Sequence, residues 1–413
     1  MTPSTSPFEP RLLAGPPSAA GPEALKAHAL RLGHLPAAAE RRDLIAALDA
    51  SGLLGRGGAG FPVGRKWRSV AERSTGDVVV VVNGAEGEPR SAKDGALMRL
   101  RPHLVLDGAL AAADAVGATD VVLYVGREHA EARHALARAL AERQPEPNVR
   151  MQLVAAPVGY VAGEATAVVH YLNEGDARPT FLDARPHERG VAGRPTLVQN
   201  VESLAQAGLI ARFGPDWYRS AGRLATRGSA LITVSGLGGR PAVREIEYGT
   251  TIGEIARSAG APAGSSVLLG GYFGGWASLD EVHHEPLDPE SMRDHGLGFG
   301  CGVLSFLSAG ACGVVATAEV MDYMAGSTAE QCGPCVFGLA NIAGATRRLA
   351  KGTAKGDDLE RIDRWARQVQ GRGACHHPDG AVGMILSALA TFHDDFASHQ
   401  VRRRCAVLCG TAA

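Results

Sequence analysis

Two groups of residues in this chain could do chemistry. The first is the stretch Ser51–Trp67, in which Gly52, Gly55, Gly57, Gly58, Gly60 and Gly64 are interleaved with Arg56, Phe61, Arg65, Lys66 and Trp67. Residues without a side chain let the backbone turn through positive φ and come close to a ligand. Consecutive N–H groups beside cations suit a phosphate, and an aromatic face suits a planar ring. Gly55-x-Gly57-x-x-Gly60 also satisfies a dinucleotide-binding pattern, but that pattern belongs after a strand. Here it follows Glu40–Leu53, where Leu44, Ile45, Leu48 and Leu53 have helical spacing. The Rossmann context is missing.

The second group is the cysteines. Cys301, Cys312, Cys332, Cys335, Cys375, Cys405 and Cys409 all lie in the last third of the chain. An odd number so confined argues against a disulfide framework and for a local metal or redox site. Cys332-Gly-Pro-Cys335 has the spacing of half a metal site. It also has that of a thioredoxin-type redox pair, although the surrounding chain does not fit that fold. Cys301 and Cys312, in Gly- and Ala-rich surroundings, read as small buried hydrophobes, and His376 and His377 as surface residues.

These residues need a scaffold, and the pattern supplies one. The chain has 413 residues, a 45% hydrophobic fraction and a formal net charge of −1, which describes an ordinary soluble protein with no bias toward nucleic acid. Met1–Gly21 lacks the basic start and apolar centre of a signal peptide and reads as a disordered lead-in. Asp77–Val82 holds five valines and predicts a buried parallel strand, with Asn83–Pro89 at its C-terminal end, where open α/β sheets place ligands. Helix Val105–Val116, strand Val121–Val125, helix Glu128–Glu142 and strand Val149–Ala155 continue an alternating series, hence a doubly wound α/β domain. Short strands at Ala230–Ser235, Arg244–Tyr248 and Val267–Leu269 around a helix at Ile252–Ser258 suggest a small β-grasp domain. Helical patterns at Val314–Tyr323, Val336–Ala350, Asp358–Gln370 and Val382–His399 predict a C-terminal bundle. The expected divisions are 1–40 (lead-in, disordered or helical), 41–226 (α/β), 227–285 (β-grasp, SLBB-like) and 286–413 (helical).

Gly55-Arg-Gly-Gly-Ala-Gly-Phe-Pro62, followed by Gly64 and Lys66-Trp67, resembles the flavin loop of the NADH-oxidising flavoprotein of respiratory complex I, the 51 kDa or NADH-quinone oxidoreductase-F family. Three more segments resemble that family in the same order: Asn83–Asp94, Gly159–Ala167 and Gly193–Ser203. The resemblance implies an FMN-binding domain, a β-grasp domain and a helical iron–sulfur region. It assigns cofactor contact to Gly55, Arg56, Gly57, Gly58, Phe61 and Lys66 in the glycine loop. Asn83, Glu86 and Glu88 follow in the second segment, Tyr160, Gly163 and Glu164 in the third, and Val198, Gln199 and Asn200 in the fourth. The implied activity is oxidation of NADH or NADPH at FMN, with electrons leaving singly through a 4Fe–4S cluster. The implied acceptor is a ferredoxin-like or cluster-bearing protein or a membrane redox partner, in the cytoplasm or at the inner face of the membrane.

The departures are as specific as the matches. Ala85 and Ala165 stand where the family has carboxylates, and Ser69, Leu182 and Arg185 stand near its adenosine contacts. One alternative is therefore an electron carrier that binds FMN but no nicotinamide. Another is a preference for NADPH, because losing a carboxylate and gaining an Arg admits a 2′-phosphate. For the cluster the resemblance leaves Cys332, Cys335 and Cys375, with Ala329 at the position of the first family cysteine. A rival register makes Cys332 the first and puts Gly338 at the third. A fourth ligand would come from Glu330, His376, His377 or the Cys405/Cys409 pair; a bundle without a cluster is the remaining alternative.

Overall fold

The computed structural model describes residues 8–41, 43–144, 148–181, 185–223, 226–236, 240–307 and 310–403. The run of valines forms strand β1 (Val78–Gly84), an inner strand of an all-parallel sheet. β-branched side chains pack on both faces of such a strand, which is why the run is continuous rather than alternating. β1 pairs with β2 (Ala118–Gly126), β2 with β3 (Arg150–Ala156), and β1 on its other side with β4 (Thr196–Asn200). Helices α1 (Leu25–Leu32), α2 (Leu44–Ser51) and α3 (Val63–Ala71) precede the sheet. Within it come α4 (Lys93–Leu100), α5 (Pro102–Val116), α6 (Ala130–Glu142) and α7 (Ala165–Glu174), and α8 (Val201–Arg219) follows β4.

Val78, Val80 and Val82 face a core built with α2, α3, α5, α6 and α8, while Val79 and Val81 face a smaller one closed by Val168 and Val169 of α7. Both faces are covered, as the doubly wound reading requires. The tightest helix contact is between α5 and α8. A Cβ on Gly108 would lie 2.0 Å from the Leu204 carbonyl oxygen, so the two backbones touch there.

The second sheet has the order β6-β5-β9-β7-β8, from β5 (Ser229–Ser235), β6 (Ala242–Glu247), β7 (Ser266–Leu269), β8 (Gly275–Ser278) and β9 (Val303–Phe306). Helix α9 (Ile252–Ala259) packs on it and opens with a capping box between Thr251 and Glu254. Two short helices, α10 (Leu279–Val282) and α11 (Pro289–Asp294), lead to β9, so the sheet takes in a strand beyond residue 285.

The C-terminal bundle begins with α12 (Gly313–Gly326). A π-helical turn (Pro334–Leu339) runs into α13 (Ala340–Ala350), and α14 (Asp358–Val369), α15 (His377–Thr391) and α16 (His393–Arg402) complete it. The sequence predicts one helix over 382–399; the chain instead breaks at Phe392. That ring is buried against Trp276, at 5.3 Å between centroids, and against Gly313, where no side chain would fit.

The N-terminal stretch also differs from a disordered lead-in. Leu12 is fully buried, and Glu245 Oε2 accepts the amides of Arg11, Leu12 and Leu13 at 2.8, 2.7 and 3.1 Å. Burial of one leucine and of three backbone donors on a β6 carboxylate outweighs the disorder its composition suggests. Met1–Pro7 lie outside the described residues.

Gly108→Ala is expected to lower the free energy of unfolding by about 3 kcal/mol, because overpacking here meets backbone. It should appear as a lower urea midpoint with an unchanged slope. Gly383→Ala is the matched control: it is exposed, lies within α15 and has nothing within 4 Å of its would-be Cβ. It should raise stability by up to about 1 kcal/mol through helix propensity.

Candidate functional site

The strand order reverses at β1, where β2 leaves on one side and β4 arrives on the other. A crevice must open beyond the carboxyl ends of β1 and β4. Asn83 and Asn200 are register partners at that end. The crevice is a cavity of about 690 Å³, within the range of cofactor sites. Gly55, Arg56, Gly57, Gly58, Phe61, Lys66, Asn83, Glu86, Glu88, Tyr160, Gly163, Glu164, Val198, Gln199 and Asn200 all line it. The four segments singled out from sequence thus meet on one surface.

The glycine loop leaves α2 and re-enters a helix at Val63, pinned at its base by Gly55 N–H to Phe61 O and Val63 N–H to Leu53 O, each 2.9 Å. Gly58 and Gly60 take φ of 105° and 63°, which a side chain would strain. Residues 56–59 form a turn, and the backbone of Gly57, Gly58 and Gly60 lines the cavity. Successive amides of a glycine turn at a cavity suit an anion. Lys66 stands beside it. Its ammonium donates to Val198 O at 2.5 Å, and burial pushes it down to about 8. Phe61 is 51% exposed, with the Arg65 guanidinium 5.8 Å from its ring centroid.

Other predicted contacts are engaged in holding loops. Asn83 Nδ2 donates to Gly163 O at 2.9 Å, and Glu164 caps α7 by accepting the amides of Thr166 and Ala167. Asn200 caps α8 through Oδ1 and donates through Nδ2 to Asp94 at 2.7 Å. Gln199 Oε1 accepts the Trp67 indole N–H at 3.3 Å. Glu86 accepts the amides of Asp94 and Gly95 at the start of α4. Glu88 accepts Tyr272 N–H at 2.7 Å and the Tyr160 hydroxyl at 3.3 Å; burial nonetheless pushes its carboxyl up.

Arg56 corrects the simplest expectation, that its charge meets a phosphate. Its guanidinium is buried and turned toward the second sheet, donating to the hydroxyls of Tyr248 and Tyr218 and to Ser229 O. Glu202 Oε1 is 3.4 Å from it and also accepts Leu231 N–H, while Glu202 Oε2 meets Lys93 Nζ at 2.9 Å. Lys93 in turn contacts Asp94 at 2.7 Å. Of these buried charges Arg56 and Asp94 line the cavity, with Lys93 and Glu202 behind them.

Sequence reasoning missed one wall. Tyr248, Gly270, Phe273 and Leu297–Cys301 face the cavity from the second sheet and the loop before β9. The clustered glycines at 296, 298, 300 and 302 were the available signal. Cys301 is accordingly half-buried at the cavity rather than a core hydrophobe, and burial pushes its thiol up to about 12. His377 is also corrected: it is buried, with Nε2 2.8 Å from Met324 O, whereas His376 is exposed.

The three bundle cysteines lie around the C-terminal end of α12. Cys332 and Cys335 are hydrogen-bonded, with Cys335 in the π turn; burial and the neighbouring thiols push Cys335 up to about 12. Burial, with Cys332 among its neighbours, also raises Cys375, which lines the cavity. Among the described residues, no three Cys, His, Asp or Glu side chains converge on a single ion. A trio of adjacent thiols without such convergence suits an iron–sulfur cluster, which spreads its ligands over several irons, and supplies three of the usual four. The amide cradle, the cation and the cavity volume likewise fit FMN. Leu182, Cys405 and Cys409 lie outside the described residues.

The fold and site therefore define a flavin- and iron–sulfur-dependent electron-transfer oxidoreductase. Residues 48–208 match the Nuo51 FMN-binding domain, and residues 315–399 match the NADH-ubiquinone oxidoreductase-F iron-sulfur binding region. The NADH-quinone oxidoreductase-F protein of Streptomyces coelicolor is 30% identical over 385 residues, covering 88% of this chain and 84% of that protein. The mitochondrial NADH dehydrogenase flavoprotein 1 of Dictyostelium discoideum is 28% identical, covering 84% of this chain and 76% of its own. A crystal structure of an NAD+-reducing NiFe-hydrogenase in its H2-reduced state superposes with a TM-score of 0.81 at 27% identity over 88% of this chain. This chain spans 63% of that hydrogenase chain. The chain belongs to the NADH-quinone oxidoreductase-F family. Among the described residues no helix is long and apolar enough to cross a membrane.

Lys66 gives the cradle a pH signature. Its ammonium is present below about 8 and is lost as pH rises through that value. FMN affinity of the stripped protein should therefore fall about tenfold from neutral to alkaline pH, one charge-assisted contact being worth about 1.5–3 kcal/mol. Riboflavin, which lacks the phosphate, should show no such fall. Lys66→Gln should flatten the FMN profile, as measured by flavin fluorescence quenching.

Proposed function

We propose that this chain oxidises NADH at FMN held in the cavity and passes the electrons, through an iron–sulfur cluster on Cys332, Cys335 and Cys375, to a partner subunit. FMN, once bound, supplies the chemistry, since it accepts an electron pair and releases electrons singly. The protein binds, orients and shields. The amides of Gly57, Gly58 and Gly60 with Lys66 hold the phosphate, and Asn83, Gln199 and Asn200 set the crevice floor where the polar ring edge lies. Phe61 offers its exposed face to a second planar ring at the mouth. Glu88, whose carboxyl burial pushes up, keeps Tyr160 and the Tyr272 amide in place.

The observation that carries this reading is Cys375. It belongs to the thiol trio and lines the cavity, so flavin and cluster share a wall. The acceptor that fits is a ferredoxin-like or cluster-bearing protein, either free in the cytoplasm or attached to a membrane redox partner. A second reading, an electron carrier without a nicotinamide site, is favoured by Ala85 and Ala165, which put methyl groups on the cavity wall where a carboxylate could have met ribose hydroxyls. Burial and the charges of Arg73, Arg185 and the cavity residue Lys66 push His187 down, against Glu188, which pairs with Arg73. That basic group is the reason to test NADPH alongside NADH.

The test is an anaerobic titration of the FMN-loaded protein with each nucleotide, following flavin bleaching, with dithionite as the end point. NADH should bleach the flavin rapidly. If dithionite bleaches it and neither nucleotide does, the carrier reading replaces this one. Ala165→Glu should shift preference toward NADH by an order of magnitude or more if NADPH proves the better donor.

A further inference from the structure

We infer that the cluster of this chain is held by three protein thiolates, leaving one iron without a cysteine and therefore removable. This rests on the cluster-binding reading above and concerns what that cluster does. The matched iron–sulfur region, residues 315–399, contains three cysteines, Cys332, Cys335 and Cys375. One Cys-x-x-Cys step before Cys332 stands Ala329, which is 7% exposed and has no donor atom. Glu330, beside it, takes a left-handed φ of 57°, a strained conformation for a residue with a side chain.

The other cysteines lie outside that matched region. Cys301 lies against the glycine loop, 3.9 Å from the would-be Cβ of Gly58. Cys312 caps the start of α12 and lies 3.3 Å from His399 Nε2. The trio lies at the other end of that 14-residue helix, about 20 Å away at 1.5 Å per residue. Cys405 and Cys409 lie beyond residue 399, where the matched region ends.

With three thiolates, the fourth iron is held only by cluster sulfides and a weaker oxygen or nitrogen ligand. A one-electron oxidant such as ferricyanide then takes one electron from the 4Fe–4S cluster in its 2+ state. The cluster releases that iron as Fe2+ and is left as a 3Fe–4S cluster carrying 1+, so charge balances.

The experiment treats the anaerobic FMN- and cluster-loaded full chain with ferricyanide, following electron paramagnetic resonance and chelated Fe2+. The expected result is the near-isotropic 3Fe–4S signal, close to one spin per cluster, with one Fe2+ released. Fe2+ and dithionite should reverse both. Ala329→Cys should suppress release at least tenfold. Should that variant not fold, reinsertion of 57Fe into oxidised wild type carries the test, since Mössbauer spectra must show the label in one distinct site. A wild-type cluster that keeps four irons and gives no 3Fe–4S signal overturns the inference and leaves the cluster reading intact. Protein that takes up no iron, with Cys332→Ser indistinguishable from wild type, overturns both.

Discussion

Glu202 is the constraint on which the rest of the site depends. It is fully buried at the start of α8, and its two oxygens face two buried cations, Arg56 from the glycine loop and Lys93 from α4. Removing one partner from such a buried set strands a charge at a cost of about 3–5 kcal/mol. The charge set behind the cavity wall therefore forms as a unit. Through it the glycine loop, the acidic segment after β1, the β4–α8 corner and, by way of Leu231 and Tyr248, the second sheet are fixed to one another. The cavity is the space left above that arrangement.

This explains why polar residues that look like ligand contacts have a dual character. Asn83, Glu86, Glu164 and Asn200 spend their side-chain atoms on neighbouring protein groups, mostly backbone amides and carbonyls, with Asn200 also donating to Asp94. Much of what remains at the cavity is the backbone of the glycine loop, which no substitution of a side chain can remove. A site built this way keeps its cofactor shape while its rim changes, which fits a chain that retains the flavin segments yet carries Ala85 and Ala165.

Much of the architecture was legible from the residues. The valine run gave a parallel strand because it is apolar on both faces, and the strand–helix alternation gave the sheet order's class. Every cofactor contact read from the four segments falls on the cavity wall. What escaped was tertiary. Nothing local marks Leu12 as buried, since its partner Glu245 is far along the chain. The break at Phe392 depends on Trp276 and Gly313, and the wall at 297–301 depends on how the second sheet docks. Arg56 was placed in the right loop, but the direction of its guanidinium is set by two tyrosines from elsewhere.

The clasp of Glu245 on residues 11–13 also bears on the order of assembly during synthesis. The hydrogen bond from Arg11 to Glu245 spans 234 positions of sequence. A ribosome must therefore deliver β6 before the start of the chain can settle, and Arg56 must wait for Tyr248 as well. Domains usually fold as they emerge, N-terminal first. Here the first domain leaves the ribosome with its opening segment unfastened and a buried cation short of partners, and is completed by the second.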